Sequence, residues 1–328
     1  MSERMKILIG YDGSECADAA LEDLRRAGLP DRAEALVLSV ADVFVPAPVD
    51  EEIDNTFPFY VPAGVKRAHE HAARVLGGAR ASAERAAGRV RESFPGWGVR
   101  AEASADSPAW ALVLKAGEWN PDLLVVGAQG HTVFGGRLIL GSVSQRVLYE
   151  APCSVRVARG AAREGRDDDA ARVIVGVDGS AGAEAAVAAV ATRAWPGGSE
   201  VRLVSVLDDV MSVTPNPQEP SVLKWVDAED EDDWEWVRKV FEPSQETLRG
   251  AGLLATVELR KGNPKHVLVE EAEAWGADSI FVGAKGMRGV DRLLLGSVSA
   301  AVAARAPCSV EVVRAEAKRS EPRAGESR

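Results

Sequence analysis

A glycine-rich stretch in the second half of the chain has the residue types and the spacing of a phosphate-binding loop. Gly283 and Gly286 are separated by two residues, and Gly296-Ser297 follows after nine more. Glycine lets the backbone approach an anion closely, and the amides at the start of a following helix point toward it. An apolar run ends at Val282, directly before this loop. The order of strand, loop and helix therefore predicts a nucleotide-phosphate site.

The same pattern occurs earlier in the chain in a lengthened form. Gly127 and Gly130 are again separated by two residues, but ten residues, 131–140, precede Gly141-Ser142. One extra residue would tilt the amides that follow Gly141 away from a bound phosphate. We therefore expect the second copy to bind the phosphate more reliably than the first.

The repetition extends over most of the chain, which is the signature of tandem domains. Asp-Gly-Ser occurs at 12–14 and again at 178–180, and Pro-Cys-Ser-Val occurs at 152–155 and again at 307–310. A chain of 328 residues is also longer than one ordinary domain. We predict domain 1 over 1–159, a polar linker over 160–171, domain 2 over 172–314, and a charged tail over 315–328 that is expected to be disordered.

Strands and helices alternate within each half. Near-continuous apolar strands between helices indicate a parallel sheet that is buried on both faces. The predicted strands are 6–11, 35–40, 99–103, 123–126 and 154–158 in the first half, and 172–177, 200–206, 255–259, 279–282 and 309–313 in the second half. The expected fold class is α/β, with two tandem parallel sheets of five strands each.

Composition and charge exclude several classes of protein. Hydrophobic residues make up 46% of the chain and charged residues 27%, as in globular proteins. The net charge of −11 repels nucleic acid and anionic lipid, so neither is an expected partner. There is no apolar run of about 18 residues, and Met1 leads into a strand without a signal-peptide pattern. The expected location is the cytoplasm.

Cysteine and histidine usage gives no sign of a metal site or a disulfide framework. Cys16, Cys153 and Cys308 are too scattered for either and are expected to be reduced. We interpret Cys153 and Cys308 as small buried side chains rather than as a functional disulfide. His69 and His71 are two residues apart in a helical stretch and cannot share a face. No metal is expected to be bound by the protein alone.

The common catalytic motifs are absent from the sequence. No G-x-x-x-x-G-K-[S/T] occurs, so the lysine and hydroxyl of a P-loop NTPase are missing. The glycine loops are not followed by the acidic residue of a dinucleotide site, about 20 residues further on. There is also no G-x-S-x-G, H-E-x-x-H or C-x-x-C pattern. Nucleotide binding without rapid hydrolysis remains.

The combination of these motifs resembles a tandem member of the universal stress protein family, from Lys6 to Arg314. The resemblance is carried by the G-2x-G-9x-G-[S/T] loop, by the first strand that ends in Asp-Gly-Ser, and by the terminal Pro-Cys-Ser-Val strand. It implies a doubly wound, five-stranded, Rossmann-like fold in each half, which binds ligands beyond the carboxyl ends of its strands. It also implies ATP as the ligand, with AMP, ADP or cyclic AMP as alternatives.

The resemblance further implies that the two halves pair about a pseudo-twofold axis. In the family's dimers the terminal strands pair antiparallel, which for this chain would join 154–158 to 309–313. A monomer is then sufficient, and further homodimerisation stays open. The sequence does not identify a protein partner.

Carried onto this sequence, the resemblance assigns nucleotide contacts in each half. The end of the first strand would contact the nucleoside, the end of the second strand the adenine, and the glycine loop the ribose and phosphates. In the first half these residues are Gly10, Tyr11, Asp12, Val40, Val126, Gly127, Gly130, Gly141, Ser142, Val143 and Ser144. In the second half they are Gly176, Val177, Asp178, Val206, Val282, Gly283, Gly286, Gly296, Ser297, Val298 and Ser299.

Structural alternatives exist for these residues. Asp12 and Asp178 precede helices, where aspartate commonly caps free amides. Gly127 and Gly283 could serve only as turns at strand ends.

Three functions stay open from the sequence. The first is an ATP-binding stress or regulatory protein. The second is a slow ATPase or phosphotransferase in which Asp12 or Asp178 helps to hold a divalent cation. The third is an interaction module that binds no nucleotide.

Overall fold

The computed structural model describes residues 4–44, 63–129, 140–160, 170–207, 231–285 and 295–315. It divides into two compact units, Met1–Asp167 with Pro307–Ser309, and Asp168–Ala306 with Val310–Arg328. Most of the expected linker and tail, together with Gly130 and Gly286, lies outside the described residues.

Five strands and four α-helices form the first unit. The strands are β1 Met5–Gly10, β2 Ala33–Ala41, β3 Gly98–Ala105, β4 Leu123–Gly127 and β5 Ser154–Ala158. The helices are α1 Glu15–Asp23, α2 Ala63–Ser93, α3 Pro108–Trp119 and α4 Ser142–Glu150, and a 3-10 turn at Leu24–Arg26 extends α1.

The sheet of the first unit has the strand order β3-β2-β1-β4-β5, and its paired strands run parallel. In the centre, Leu8 of β1 lies opposite Leu36 of β2 on one side and Leu124 of β4 on the other. All three side chains are at most 1% exposed. Such burial explains why these strands read as continuous apolar runs instead of alternating with polar residues.

The second unit repeats this architecture. Its strands are β6 Arg172–Gly176, β7 Glu200–Leu207, β8 Leu254–Lys261, β9 Ser279–Gly283 and β10 Ser309–Val313. Its helices are α5 Ala181–Ala191, α6 Glu231–Gly250, α7 Pro264–Trp275 and α8 Ser297–Arg305. The strand order is β8-β7-β6-β9-β10, which matches that of the first unit.

The same local signals start and stop corresponding helices in the two units. Pro108 opens α3 and Pro264 opens α7, where proline's missing amide costs no hydrogen bond. Asn120 ends α3 with φ 49° and Gly276 ends α7 with φ 65°. These left-handed residues stop each helix and return the chain toward the next strand.

The predicted α/β class with two Rossmann-like domains is confirmed, and the boundaries differ by a few residues. β4 and β9 each continue through the glycine that follows the apolar run, because Gly127 and Gly283 still take part in the strand. The strands β2 and β3 also extend past their predicted ends, since small or polar residues there continue the ladder. Among the described helices, none combines the length and hydropathy needed to cross a bilayer.

Candidate functional site

The candidate site of each unit lies where the strand order reverses. In the first unit, β1 is followed in sequence by β2 on one side, while β4 occupies its other side. A crevice opens beyond the carboxyl ends of two such strands, and ligands of doubly wound folds bind there. Gly10 ends β1 and Gly127 ends β4 at this edge. Gly176 and Gly283 end β6 and β9 at the equivalent place.

The glycines that end β1 and β6 make room for a neighbouring helix. A Cβ on Gly10 would lie 3.0 Å from Leu112 of α3, and one on Gly176 would lie 3.2 Å from Leu268 of α7. Both distances are shorter than ordinary van der Waals contact. A side chain at either strand end would therefore require the neighbouring leucine, Leu112 or Leu268, to shift.

The turn after β1 holds Asp12 and Ser14 in a fixed relation. The Ser14 amide donates to Asp12 Oδ1 at 2.9 Å, and the Ala17 amide donates to Ser14 Oγ at 3.2 Å. Gly13 takes φ 81°, a conformation that favours glycine. The second unit repeats this arrangement: Ser180 accepts from the Ala183 amide at 3.2 Å and donates its own amide to Asp178 at 3.0 Å.

These bonds correct one sequence interpretation. Ser14 and Ser180 cap the helices, whereas the aspartates close the turn before them. Serine directly before a helical run is the signal that would have identified these caps. Nucleotide contact by Asp12 and Asp178 stays a prediction.

Val40 and Val206, for which adenine contact stays a prediction, lie near the ends of the second strand of each unit. Each lies in the last two residues of its strand, β2 or β7, and is partly exposed where the preceding strand residues are mostly buried. Tyr11 lies at the end of the adjacent β1, and its carbonyl accepts from Ser39 Oγ at 2.7 Å. Val177 takes the place of Tyr11 in the second unit and is packed in the core. In the second unit, the side chain at this position is buried in the core, so only its main chain is placed to contact a ligand.

The glycines that end β4 and β9 bring these strands into backbone contact with the helix after the first strand. A Cβ on Gly127 would lie 2.8 Å from the Cys16 carbonyl oxygen, and one on Gly283 would lie 2.4 Å from the Gly182 carbonyl carbon. Real Cβ atoms do not approach backbone this closely. Glycine is therefore required at both positions for close packing, beyond any role as a turn residue.

Glycine also caps α4 and α8, the helices that follow the two glycine loops. Gly141 and Gly296 are the N-cap residues, with ψ near 150° in both (155° and 148°). A glycine cap has no side chain to accept from the first-turn amides, unlike Ser14 and Ser180 in the other helices. The amides of Ser142 and Val143, and those of Ser297 and Val298, are thus placed to donate to an anion.

The capping glycines are tied back to the residues that follow the strands. The Gly141 amide donates to the Ala128 carbonyl at 2.8 Å, and the Gly296 amide donates to the Ala284 carbonyl at 2.7 Å. These two amides are therefore committed to closing the loop, and the helix amides beyond them remain for an anion.

Ser144 and Ser299 donate their hydroxyls to the strand ends. Ser144 Oγ lies 2.6 Å from the Gly127 carbonyl oxygen, and Ser299 Oγ lies 2.6 Å from that of Gly283. Both side chains are buried, with 4% of each residue exposed. The hydroxyls thus hold α4 and α8 against β4 and β9. The predicted phosphate contacts of Ser144 and Ser299 stay untested, and their main-chain amides are the groups left to make them.

The remaining predicted residues fall into two sets. Val126 and Val282 are buried in β4 and β9, with at most 4% exposed, directly before the strand-end glycines. Gly130 and Gly286 lie outside the described residues, so their predicted role stays a prediction.

Tyr11 distinguishes the first site from the second. Its hydroxyl donates to Asp18 Oδ1 at 2.8 Å, and Arg89 of α2 pairs with the same carboxylate. Burial raises the pKa of the Tyr11 phenol, and the hydrogen bond to Asp18 raises this pKa further. The phenol is therefore neutral at physiological pH and bound to the α1–α2 side of the sheet.

Within the described residues, no group of three or more His, Cys, Asp and Glu side chains could hold a metal ion. Cys153 and Cys308 are buried, as the sequence interpretation expected, and Cys16 is partly exposed in the first turn of α1.

Fold and site together define a class: doubly wound α/β proteins with a glycine-rich loop at the switch point of each parallel sheet, here present in two tandem copies. The family model of the universal stress protein family matches residues 3–159 and 170–314. The chain belongs to this family, and the sequence-based recognition is confirmed.

Relatives match both the whole chain and one half of it. A universal stress protein of Mycolicibacterium smegmatis is 28% identical over 314 residues, spanning 94% of this chain and 96% of that protein. One from Thermus aquaticus is 35% identical over 153 residues, spanning 47% of this chain and 97% of that protein. The crystal structure of a universal stress protein from Archaeoglobus fulgidus covers 94% of this chain and 98% of its own, with TM-score 0.55 and 21% identity, and supports the fold.

Proposed function

We propose that this protein binds an adenine nucleotide, with ATP as the first candidate, and that occupancy gives it a regulatory role in the stress response. The observation that carries the proposal is the pair of glycine-capped helices, α4 and α8, at the switch points of the two sheets. Their first-turn amides have no side-chain cap and face the place where a phosphate chain would end.

The rest of the site suits a nucleoside. Val206 at the end of β7 offers an apolar surface for adenine, and the main chain at Gly176 and Val177 lies on the adjacent strand. Asp178 is partly exposed directly after this main chain, and we propose that its carboxylate accepts a hydrogen bond from a ribose hydroxyl. An apolar residue at the end of one strand and amide donors at the start of a helix support this proposal, because a nucleotide needs an apolar contact for its base and donors for its phosphates.

Binding alone is enough to regulate. A ligand that binds the folded state stabilises it by about 2.7 kcal/mol at a hundredfold excess over Kd. The concentration of adenine nucleotide would thereby set the stability of the protein or its choice of partner.

A proline at the first helical position of α8 tests the proposal at a single amide. Ser297 is this position, and the preceding Gly296 has φ −66° and ψ 148°, a conformation that proline tolerates in its neighbour. Ser297→Pro should preserve α8 while deleting one donor to the phosphates. Loss of one charge-assisted hydrogen bond, about 1.5–3 kcal/mol, should raise the Kd for ATP at least tenfold.

Isothermal titration calorimetry with ATP, ADP, AMP and cyclic AMP, each with and without Mg²⁺, measures this effect. Ser297→Ala removes the hydroxyl and keeps the amide, so the binding lost by Ser297→Pro beyond that lost by Ser297→Ala belongs to the amide. Ser142→Pro is the matched change in the first repeat, since Gly141 has the same extended conformation. Wild-type protein that binds none of the four nucleotides at millimolar concentration would refute the proposal.

A further inference from the structure

Gly182 occupies a position where a helix would ordinarily prefer another residue. It is the second residue of α5, and glycine is less favourable than alanine in a helix by about 1 kcal/mol. A Cβ at this position would lie 2.1 Å from the Lys285 carbonyl oxygen. Such a distance is impossible for a real Cβ, so the glycine is what allows the loop after β9 to rest on α5.

Contacts around Gly182 connect the helix, the strand and the loop. Gly283, the last residue of β9, is close enough that a Cβ on it would lie 2.8 Å from the Gly182 Cα. Farther along, a Cβ on Gly296 would lie 3.2 Å from the Ala284 carbonyl oxygen and 3.7 Å from the Lys285 Cα. The backbone of Ala284 and Lys285 is therefore held between the first turn of α5 and the cap of α8.

The first repeat has a different residue at this position. Counting from the Asp-Gly-Ser turn, the residue equivalent to Gly182 is Cys16, and the one equivalent to Lys285 is Gln129. Cys16 carries the Cβ that Gly182 lacks, so the Gln129 carbonyl cannot rest on α1 in the way that Lys285 rests on α5. The strand-end glycine of the first repeat is also packed less closely. A Cβ on Gly127 would lie 2.8 Å from the Cys16 carbonyl oxygen, whereas a Cβ on Gly283 would lie 2.4 Å from the Gly182 carbonyl carbon.

The length of the glycine loop also differs between the two repeats. The stretch 131–140 of the first repeat is one residue longer than 287–295 of the second. Two independent differences, one in the loop and one beneath it, thus separate the repeats.

We infer that Gly182 is a positioning residue for the glycine loop of the second repeat, and that the chain binds one nucleotide, in that repeat. This inference rests on the proposed function and deepens it by naming the working site. Cys16, at the equivalent position, carries a Cβ that keeps the Gln129 carbonyl from the place on α1 that corresponds to that of Lys285 on α5.

Gly182→Ala tests the positioning role. The added methyl displaces the Lys285 carbonyl, and with it the amides that must converge on the phosphates, so the Kd for ATP should rise at least about tenfold. Cys16→Ala, the matched change in the first repeat, should bind ATP as the wild type does. The unfolding temperature of each variant, measured without ligand, shows whether the variant has lost its fold or only its binding site. A folded Gly182→Ala protein with wild-type affinity would overturn the inference.

Photolabelling tests the inference on the wild-type chain, so this experiment does not depend on whether a variant folds. After irradiation with 8-azido-ATP and proteolysis, mass spectrometry should find competable label on peptides of the second repeat, with one nucleotide per chain by calorimetry. Equal labelling of both repeats, or labelling of the first alone, contradicts the inference while leaving the proposed function intact. No competable labelling and no calorimetric binding would overturn both.

Discussion

At the scale of single residues, glycine performs several different physical tasks in this protein. Gly10 makes room for a leucine side chain, Gly127 and Gly182 allow contact between backbones, and Gly13 takes a left-handed conformation. The spacing of Gly127, Gly130 and Gly141, repeated by Gly283, Gly286 and Gly296, identified the candidate loops. It did not tell which glycine faces a side chain, which faces a carbonyl and which forms a turn, because that depends on atoms far away in the chain.

Tyr11 provides a test of the first site through its ionisation. The folded state raises the pKa of the phenol above the unfolded value of 10.0, so folding favours the neutral form. The stabilisation contributed by this protonation preference is present below pH 10 and is lost as the pH rises through the folded pKa. We expect the stability difference between the wild type and Tyr11→Phe to shrink between about pH 9 and pH 12.

Urea unfolding of both proteins across this pH range measures the effect. The difference in phenolate absorbance between the wild type and Tyr11→Phe reports the ionisation of Tyr11. This ionisation should occur at a higher pH than that of a model tyrosine. A Tyr11 contribution that appears at or below that pH would contradict the assigned environment.

At the scale of elements, the terminal strand of each unit carries one buried charge, and the sign is exchanged between the units. Arg156 of β5 binds Asp23 at the end of α1 with contacts of 2.6 and 3.1 Å. Glu311 occupies the equivalent place in β10 and pairs with Arg193, just beyond α5. All four side chains are at most 6% exposed. Each ion pair joins a terminal strand to the first helix of its own unit.

Removing one partner of such a pair should be costly. Asp23→Ala leaves the buried Arg156 guanidinium without that carboxylate, and breaking a buried pair in this way costs about 3–5 kcal/mol. Glu150→Ala breaks the Arg146–Glu150 pair, in which both side chains are more than 40% exposed, and should cost less than about 1 kcal/mol. Denaturant unfolding of the two variants compares these values. Similar small losses in both would show that the buried pair contributes little.

At the scale of the whole molecule, two copies of one domain share a chain with a net charge of −11. The predicted pairing of the two copies about a twofold axis stays a prediction. A strongly negative protein repels an anionic nucleotide at long range, so the proposed binding would depend on short-range amide donors.

This charge balance predicts an unusual salt dependence of nucleotide association. Raising the ionic strength from about 10 to 150 mM shortens the Debye length from about 30 to 8 Å and screens the long-range repulsion. The association rate constant for ATP, measured by stopped-flow fluorescence of a labelled nucleotide, should therefore rise with salt. A steep fall with salt would instead indicate that local basic side chains dominate the approach.

Local patterns in the sequence were sufficient to predict the architecture and the location of each candidate site. The repeated Asp-Gly-Ser turns, the apolar runs and the glycine spacings depend on neighbouring residues, and they predicted two five-stranded α/β domains and the strand ends at which each candidate site lies. Strand boundaries moved by a few residues, since small and polar residues at the ends of β2 and β3 continue the ladder.

What only the tertiary structure decided involves partners that are distant in sequence. The order of the strands brings Lys285 over Gly182, Ser299 under Gly283 and Asp23 against Arg156. No local pattern encodes these encounters, because each depends on which strand becomes the neighbour of which helix after the sheet has formed. One of the two differences between the repeats, Gly182 in place of Cys16, therefore shows its effect on packing only in the folded chain.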